Sequence, residues 1–362
     1  FSKAYIFSNY NKIMQKDFLS SNESIFLNDA ALDYNFIPPI IKHRENNQSY
    51  IGNSIKLLEE NRNGRNLFIF GSPGIGKTLA TRYVLKQVEE NSEEILPIYV
   101  NCWKHDTSYK IFVEICNMIN YRLTPYNSTD QLMRDIKPIL NKKSIVLCLD
   151  EIDKLQDFSI LYFFLEDVFK RSLIFITNEA DWINKIDSRL SSRLYADKLE
   201  FKPYNYNEIL DILKQRAEYA FVKNVFDKNC LEEIAKKTYE MNDIRAGIFL
   251  LKEAGDIAES RSSKKITLEN IRKAITKLDE FKIKNDLNQE QNEILELIKK
   301  HSGKQAKDIY NYYNKSISYR TFRRRLEELE NAKLITLEEK SLGAKGKITH
   351  VYYGTNKSLS EF

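Results

Sequence analysis

Long apolar runs are absent: nowhere do the 362 residues hold the ~18 uninterrupted apolar side chains that a membrane-spanning helix needs, so no membrane crossing is expected. Cysteine is scarce. The four present, Cys102, Cys116, Cys148 and Cys230, form no CxxC pair and no cluster with histidine, which argues against a disulfide framework and against a zinc site. The residues from Phe1 to Ser20 mix Lys3, Tyr5, Asn9 and Lys12 with apolar side chains and lack the basic-then-apolar layout of a signal peptide, so an intracellular location is expected. Internal repeats and low-complexity tracts are missing too. An excess of one charge is nearly absent, with a formal net charge of +5, but it is unevenly spread: residues 288 to 362 hold 14 Lys and Arg against 10 Asp and Glu, and the remainder 42 against 41. A basic terminal segment on a near-neutral body is the footprint of a nucleic-acid module, and equally that of an ordinary solvated face.

What is present has the composition of a globular protein, 42% hydrophobic and 30% charged, in a chain too long for one core. The short apolar run Leu67 to Phe70 leads into Gly71-Ser72-Pro73-Gly74-Ile75-Gly76-Lys77-Thr78, after which Leu79, Tyr83, Val84 and Val88 recur at helical spacing. Further strand-length runs at Ile98 to Val100, Ile145 to Leu149 and Leu173 to Thr177 alternate with helical patterns. The first 200 residues therefore read as an α/β unit with a mostly parallel sheet covered on both faces. Residues 201 to 284 change to four helical patterns without a strand-like run and read as a helical lid. The polar stretch Lys282 to Asn288 reads as a linker, and residues 288 to 362 as a third domain.

The glycine stretch satisfies GxxxxGK[ST]. Glycines let backbone N–H groups turn inward onto phosphate oxygens, the following helix N-terminus adds positive potential, Lys77 is placed to bridge the β- and γ-phosphates, and Thr78 to ligate magnesium. Ile145 to Leu149 ends in Asp150-Glu151-Ile152-Asp153. A strand tip carrying two adjacent acids beside such a loop can hold hydrated magnesium through Asp150 and polarise the attacking water through Glu151. Taken alone, such acids also serve as helix caps. Thr177-Asn178 ends the next strand, where the Asn178 amide can orient that water. ATP or ADP and Mg2+ are the expected ligands.

In the last domain, Glu290 to His301 and Gln305 to Tyr313 are helical. A third helix starts at Ser318, with Phe322, Leu326 and Leu329 as its buried stripe. Tyr319, Arg320, Arg323 and Arg324 fall largely outside that stripe, as on a recognition helix that enters the major groove. Leu334 to Leu337 and Ile348 to Tyr353 flank Gly343-Ala344-Lys345-Gly346-Lys347, two strands round a basic tip, which makes a wing able to neutralise phosphates through Lys345 and Lys347. A winged helix that binds protein has the same outline.

The order of glycine loop, acidic strand tip, strand ending in asparagine, helical lid and winged helix resembles the AAA+ replication initiators, specifically archaeal homologues of the origin recognition complex and of the cell-division-control initiator. The resemblance spans nearly the whole chain. It implies an AAA+ parallel-sheet ATPase core with a helical lid and a C-terminal winged helix, and a weak ATPase used as a switch. It also implies duplex origin DNA as a partner, a paralogous initiator on neighbouring DNA, the replicative helicase, and a cytoplasmic, nucleoid-associated location. Asn242-Asp243-Ile244-Arg245 aligns with the family's GD-x-R motif, which makes Arg245 the γ-phosphate sensor and leaves asparagine where glycine is usual. Arg189-Leu190-Ser191-Ser192-Arg193 matches the stretch that supplies an arginine finger, from Arg189 or Arg193. Pro38 to Glu45 is similar to the box that shapes the adenine pocket, with Arg44 carried over. A DNA-touching insertion is implied between Asn101 and Asp135, a span holding Trp103, Lys104 and Arg122, with Lys137 just beyond. Two other readings stay open on the residues alone: an ADP-locked DNA-binding regulator, and a helicase or clamp loader whose winged helix binds protein.

Overall fold

The computed structural model describes residues 24–122, 128–313, 317–332, 334–341 and 347–354. Five strands, β1 (Leu67–Phe70), β2 (Ile95–Asn101), β3 (Ser144–Asp150), β4 (Arg171–Thr177) and β5 (Asp197–Glu200), form one parallel sheet in the order β2-β3-β4-β1-β5. β3 is buried along its whole length, as a strand covered on both faces must be. Its alternate side chains serve two cores. Ile145, Leu147 and Leu149 join Phe68, Ile98 and Phe175 on one face, against the helices Ser108–Met118, Thr129–Leu140 and Ser159–Asp167. Val146 and Cys148 join Leu67, Ile69, Ile174 and Ile176 on the other, beneath Glu45–Lys56 and Lys77–Asn91. Each fully buried aliphatic or aromatic side chain contributes roughly 1.5–3 kcal/mol, so the sheet interior is the main stabilising mass of this unit.

All four cysteines are buried free thiols. Burial pushes Cys102 up to about 12 and Cys230 up to about 11, which keeps both protonated and unreactive.

The register brings the carboxyl ends of the strands together. Phe70 pairs with Thr177, Ile176 with Asp150, and Asp150 with Asn101, so the segments leaving β1, β3 and β4 emerge side by side. Open parallel sheets bind ligands at this edge.

Four helices follow: Tyr206–Ala220, opened by an Asn205/Glu208 capping box, then Cys230–Met241, Ile244–Ser260 and Leu268–Asp286. The sheet and these helices up to Ala274 make one compact unit, and the chain from Ile275 a second. The stretch read as a linker is corrected in part: the helix runs on through Lys282 to Asp286, leaving Leu287 and Asn288 before the next one. Lysine is among the better helix formers, so a polar run without glycine or proline does not stop a helix.

The second unit comprises the helices Gln289–Lys300, Ala306–Tyr313 and Tyr319–Asn331 and the antiparallel pair β6 (Ile335–Ser341) and β7 (Lys347–Tyr353). Phe322, Leu326 and Leu329 pack against Ile294, Ile298, Ile309 and Val351, and the Ser318 side chain caps the third helix through the Thr321 N–H. Lys345 and its glycine neighbours lie outside the described residues, and Lys347 is the first residue of β7.

Candidate functional site

β1 ends at Phe70 and the next helix begins at Lys77, so the six residues between must reverse the chain within a tight loop. Gly74 shows why the loop needs glycine: it sits at φ 71°, a left-handed conformation, and a Cβ there would overlap the Asp243 carboxylate. Lys77 is only 6% exposed. Its ammonium donates to the carbonyls of Gly71 and Ser72, each at 2.7 Å, and to Asn178 Oδ1 at 2.8 Å. Burial lowers its pKa to about 8, an effect that the nearby Asp150 charge opposes.

Asp150, buried at the tip of β3, accepts from the Thr78 hydroxyl at 2.8 Å and from the Tyr99 hydroxyl at 2.7 Å. Tyr99 was not foreseen, because a tyrosine in a strand-like run has no signature that separates a carboxylate anchor from packing. Burial and the Asp150 charge raise its pKa, so it stays a donor. Glu151 follows in the left-handed region, φ 53° and ψ 46°, with its N–H donating to Asp150 Oδ1. The donor set fits magnesium. A hydroxyl and a carboxylate lie together beside the loop, and no group of three or more His, Cys, Asp or Glu converges among the described residues. An ion here therefore draws its remaining ligands from phosphate and water.

These groups open into a cavity of about 870 Å3, also lined by Pro38, Ile41, Tyr204, Ile212, Ile244 and Ile248. The lid closes directly on the loop: the Ile244 N–H donates to the Gly74 carbonyl at 3.1 Å. Asn242 adopts φ 53°, the left-handed conformation that asparagine tolerates better than other side chains, which accounts for its standing where glycine is usual. Arg245 lines the cavity and is held by Asp243, with Nη2 donating to Oδ2 at 2.7 Å; that bond raises its pKa further.

Arg44 is elsewhere. Its buried guanidinium lies over the Tyr204 ring and donates to the Ile75 carbonyl at 2.9 and 3.2 Å and to the Lys202 carbonyl at 2.8 Å, bracing the loop without lining the cavity. Arg189 is exposed away from the cavity, whereas Arg193 is paired with Glu166. Trp103 and Lys104 line the cavity, Arg122 is exposed, and Lys137 pairs with Asp167 at 2.5 Å.

Residues 60–179 match the AAA domain family, and residues 210–276 match the Cdc6 AAA+ ATPase-type lid domain. ORC1-type DNA replication protein 1 of Sulfurisphaera tokodaii is 30% identical over 276 residues, which span 73% of this chain and 69% of that protein. The chain belongs to the ORC1-type DNA replication protein family. A second relative, ORC1-type DNA replication protein 2 of Methanothermobacter thermautotrophicus, is 27% identical over 351 residues, 91% of this ORC1-type chain and 92% of its own length. The structure of the Aeropyrum pernix ORC1 protein in complex with DNA shares the fold, with a TM-score of 0.67 at 23% identity over 93% of this chain and 95% of that one.

The second unit of this ORC1-type protein carries the other predicted residues. Tyr319, Arg320 and Arg324 are exposed on the third helix, Arg324 within 3.6 Å of Glu328 and Arg320 without an ion pair among the described residues. Arg323 is half-buried and donates to the Thr349 hydroxyl of β7 at 2.6 Å, so it ties the helix to the strand pair.

Proposed function

We propose that this ORC1-type protein is a nucleotide-switched replication initiator that binds ATP in the cavity, grips duplex DNA at origins with its C-terminal winged helix, and hydrolyses ATP slowly. The observation that carries the reading is the convergence of Lys77, Thr78, Asp150, Glu151, Asn178 and Arg245 on one cavity beside a glycine loop that only small residues can build. Lys77 leaves the loop carbonyls for the β- and γ-phosphates, which frees the Asn178 amide oxygen to hold the attacking water against Glu151. Thr78 and Asp150 would hold magnesium, which would supply charge neutralisation to the phosphates. Arg245 exchanges Asp243 for the γ-phosphate, and since it stands at the start of the Ile244–Ser260 helix, the exchange gives the lid different contacts in the two nucleotide states. Arg189, exposed and without a side-chain partner among the described residues, is the better finger for a neighbouring initiator's nucleotide, since Arg193 is engaged at home.

The Lys77 pKa sets a pH dependence. The free protein loses the ammonium proton above about pH 8, while bound phosphates favour the charged form, so binding takes up a proton there. ATP affinity is expected to be flat below pH 8 and to fall above it by up to about tenfold per pH unit. Titration calorimetry from pH 6.5 to 9.5 checks this, and an affinity indifferent to pH across 8 to 9.5 removes the role given to the Lys77 charge.

For DNA, the exposed pair Arg320 and Arg324 is the sharper target, because Arg323 already serves the fold. Arg320→Ala with Arg324→Ala is expected to weaken duplex binding about tenfold and to flatten its salt dependence, with ATP binding unchanged. Fluorescence anisotropy on origin-containing and unrelated duplexes, with ATP and with ADP, tests the claim. Equal affinity for both duplexes, or no effect of the double substitution, counts against origin recognition through this helix.

A further inference from the structure

The cavity lining is mixed in chemistry. Beside the polar groups of the loop and the strand tips, the lining includes the apolar side chains Pro38, Ile41, Ile212 and Ile248. One amide of the lid helices shares this lining. Gln215 follows Ile212 by one turn on the Tyr206–Ala220 helix, so the two side chains share the face that lines the cavity. It is 8% exposed, and its amide makes no hydrogen bond among the described residues. Its neighbour Arg216 is buried as well, but that guanidinium is committed, donating to the carbonyls of Ala31 at 3.0 Å and Phe36 at 3.2 Å. The amide lines the cavity without a protein partner, so a molecule bound there can supply one.

We propose that Gln215 reads the base of the bound nucleotide, its Oε1 accepting from the exocyclic amine of adenine and its Nε2 donating to the adjacent ring nitrogen. The proposal rests on the reading of this cavity as an ATP site and adds base specificity to it. Apolar walls supply contact area but do not distinguish an amino group from a hydrogen, whereas a placed hydrogen-bonding group does. Glutamine is suited to the task because its adjacent acceptor and donor match the donor and acceptor on an adenine edge. A guanine presents two acceptors on the corresponding major-groove edge and leaves Oε1 facing an oxygen.

The test compares ATP with purine riboside triphosphate, which lacks the 6-amino group, by titration calorimetry on the 362-residue chain and its Gln215→Met and Gln215→Glu variants. Wild type is expected to prefer ATP about tenfold. Gln215→Met keeps the side-chain length but removes both polar atoms, so ATP affinity should fall about tenfold to that of the analogue, whose own affinity changes little. Gln215→Glu keeps the acceptor and should keep the preference. A wild type without preference for ATP, or a Gln215→Met protein that retains one, overturns the proposal. Failure of wild type to bind either nucleotide sinks the ATP-site reading itself, a different result. Should circular dichroism show Gln215→Met unfolded, Gln215→Glu decides alone, and loss of the preference in that variant overturns the assignment.

Discussion

Lys77→Ala is expected to lower ATP affinity by more than about a hundredfold, because in the proposed site the ammonium would make charge-assisted hydrogen bonds to two phosphates, worth about 1.5–3 kcal/mol each. The loss is one of binding and not of folding. In the free protein the buried ammonium is disfavoured by desolvation and favoured by three acceptors, the Gly71 and Ser72 carbonyls and Asn178 Oδ1. Alanine removes both terms together, and water entering the space the side chain vacates satisfies the carbonyls it uncovers. Thermal unfolding should therefore shift little while calorimetric ATP binding disappears. A variant that binds ATP within threefold of wild type would remove the phosphate loop from the proposed function, since Arg44, the other cation on a loop carbonyl, does not line the cavity.

The phosphate loop was legible in the sequence because each of its fixed positions is dictated by a steric or electrostatic need that few residue types meet, and the same holds for the apolar run of β3. β5 was not legible. Its Asp-Lys-Leu-Glu sequence carries three charges in four residues, and it is a strand because β1 offers it a free edge, a tertiary cause with no local trace. Arg44 illustrates a second limit. A box preceding the loop placed it near the nucleotide, yet an arginine has five donors, and here three short hydrogen bonds turn them onto the backbone of Ile75 and Lys202. Gln215 illustrates the reverse: one polar residue within an amphipathic helix looks like surface, and only its place in the cavity lining marks it. The arginines of Tyr319–Asn331 divide for the same reason, since helical spacing puts Arg323 near the groove-facing side but not against the Thr349 hydroxyl that claims it.

Glu151→Gln is expected to reduce ATP turnover by roughly 10^2 to 10^4 while leaving ATP binding near wild type, the range over which a positioned general base acts. The amide keeps the size and a hydrogen-bonding oxygen but does not take a proton. The backbone of Glu151 adds a second handle, because φ 53° is a conformation that non-glycine residues adopt at a cost of order 1–3 kcal/mol. If the turn after β3 existed only to connect strand to helix, selection for stability alone would favour glycine there. Glu151→Gly should accordingly stabilise the fold by up to about 1 kcal/mol and abolish hydrolysis at once, opposite signs from a single substitution. Melting temperature and phosphate release measured on the same preparations check both. A glycine variant that is less stable than wild type would mean that the carboxylate supports the fold, and turnover surviving in Glu151→Gln would hand the base to another group, with Asp153 the next acid along the chain.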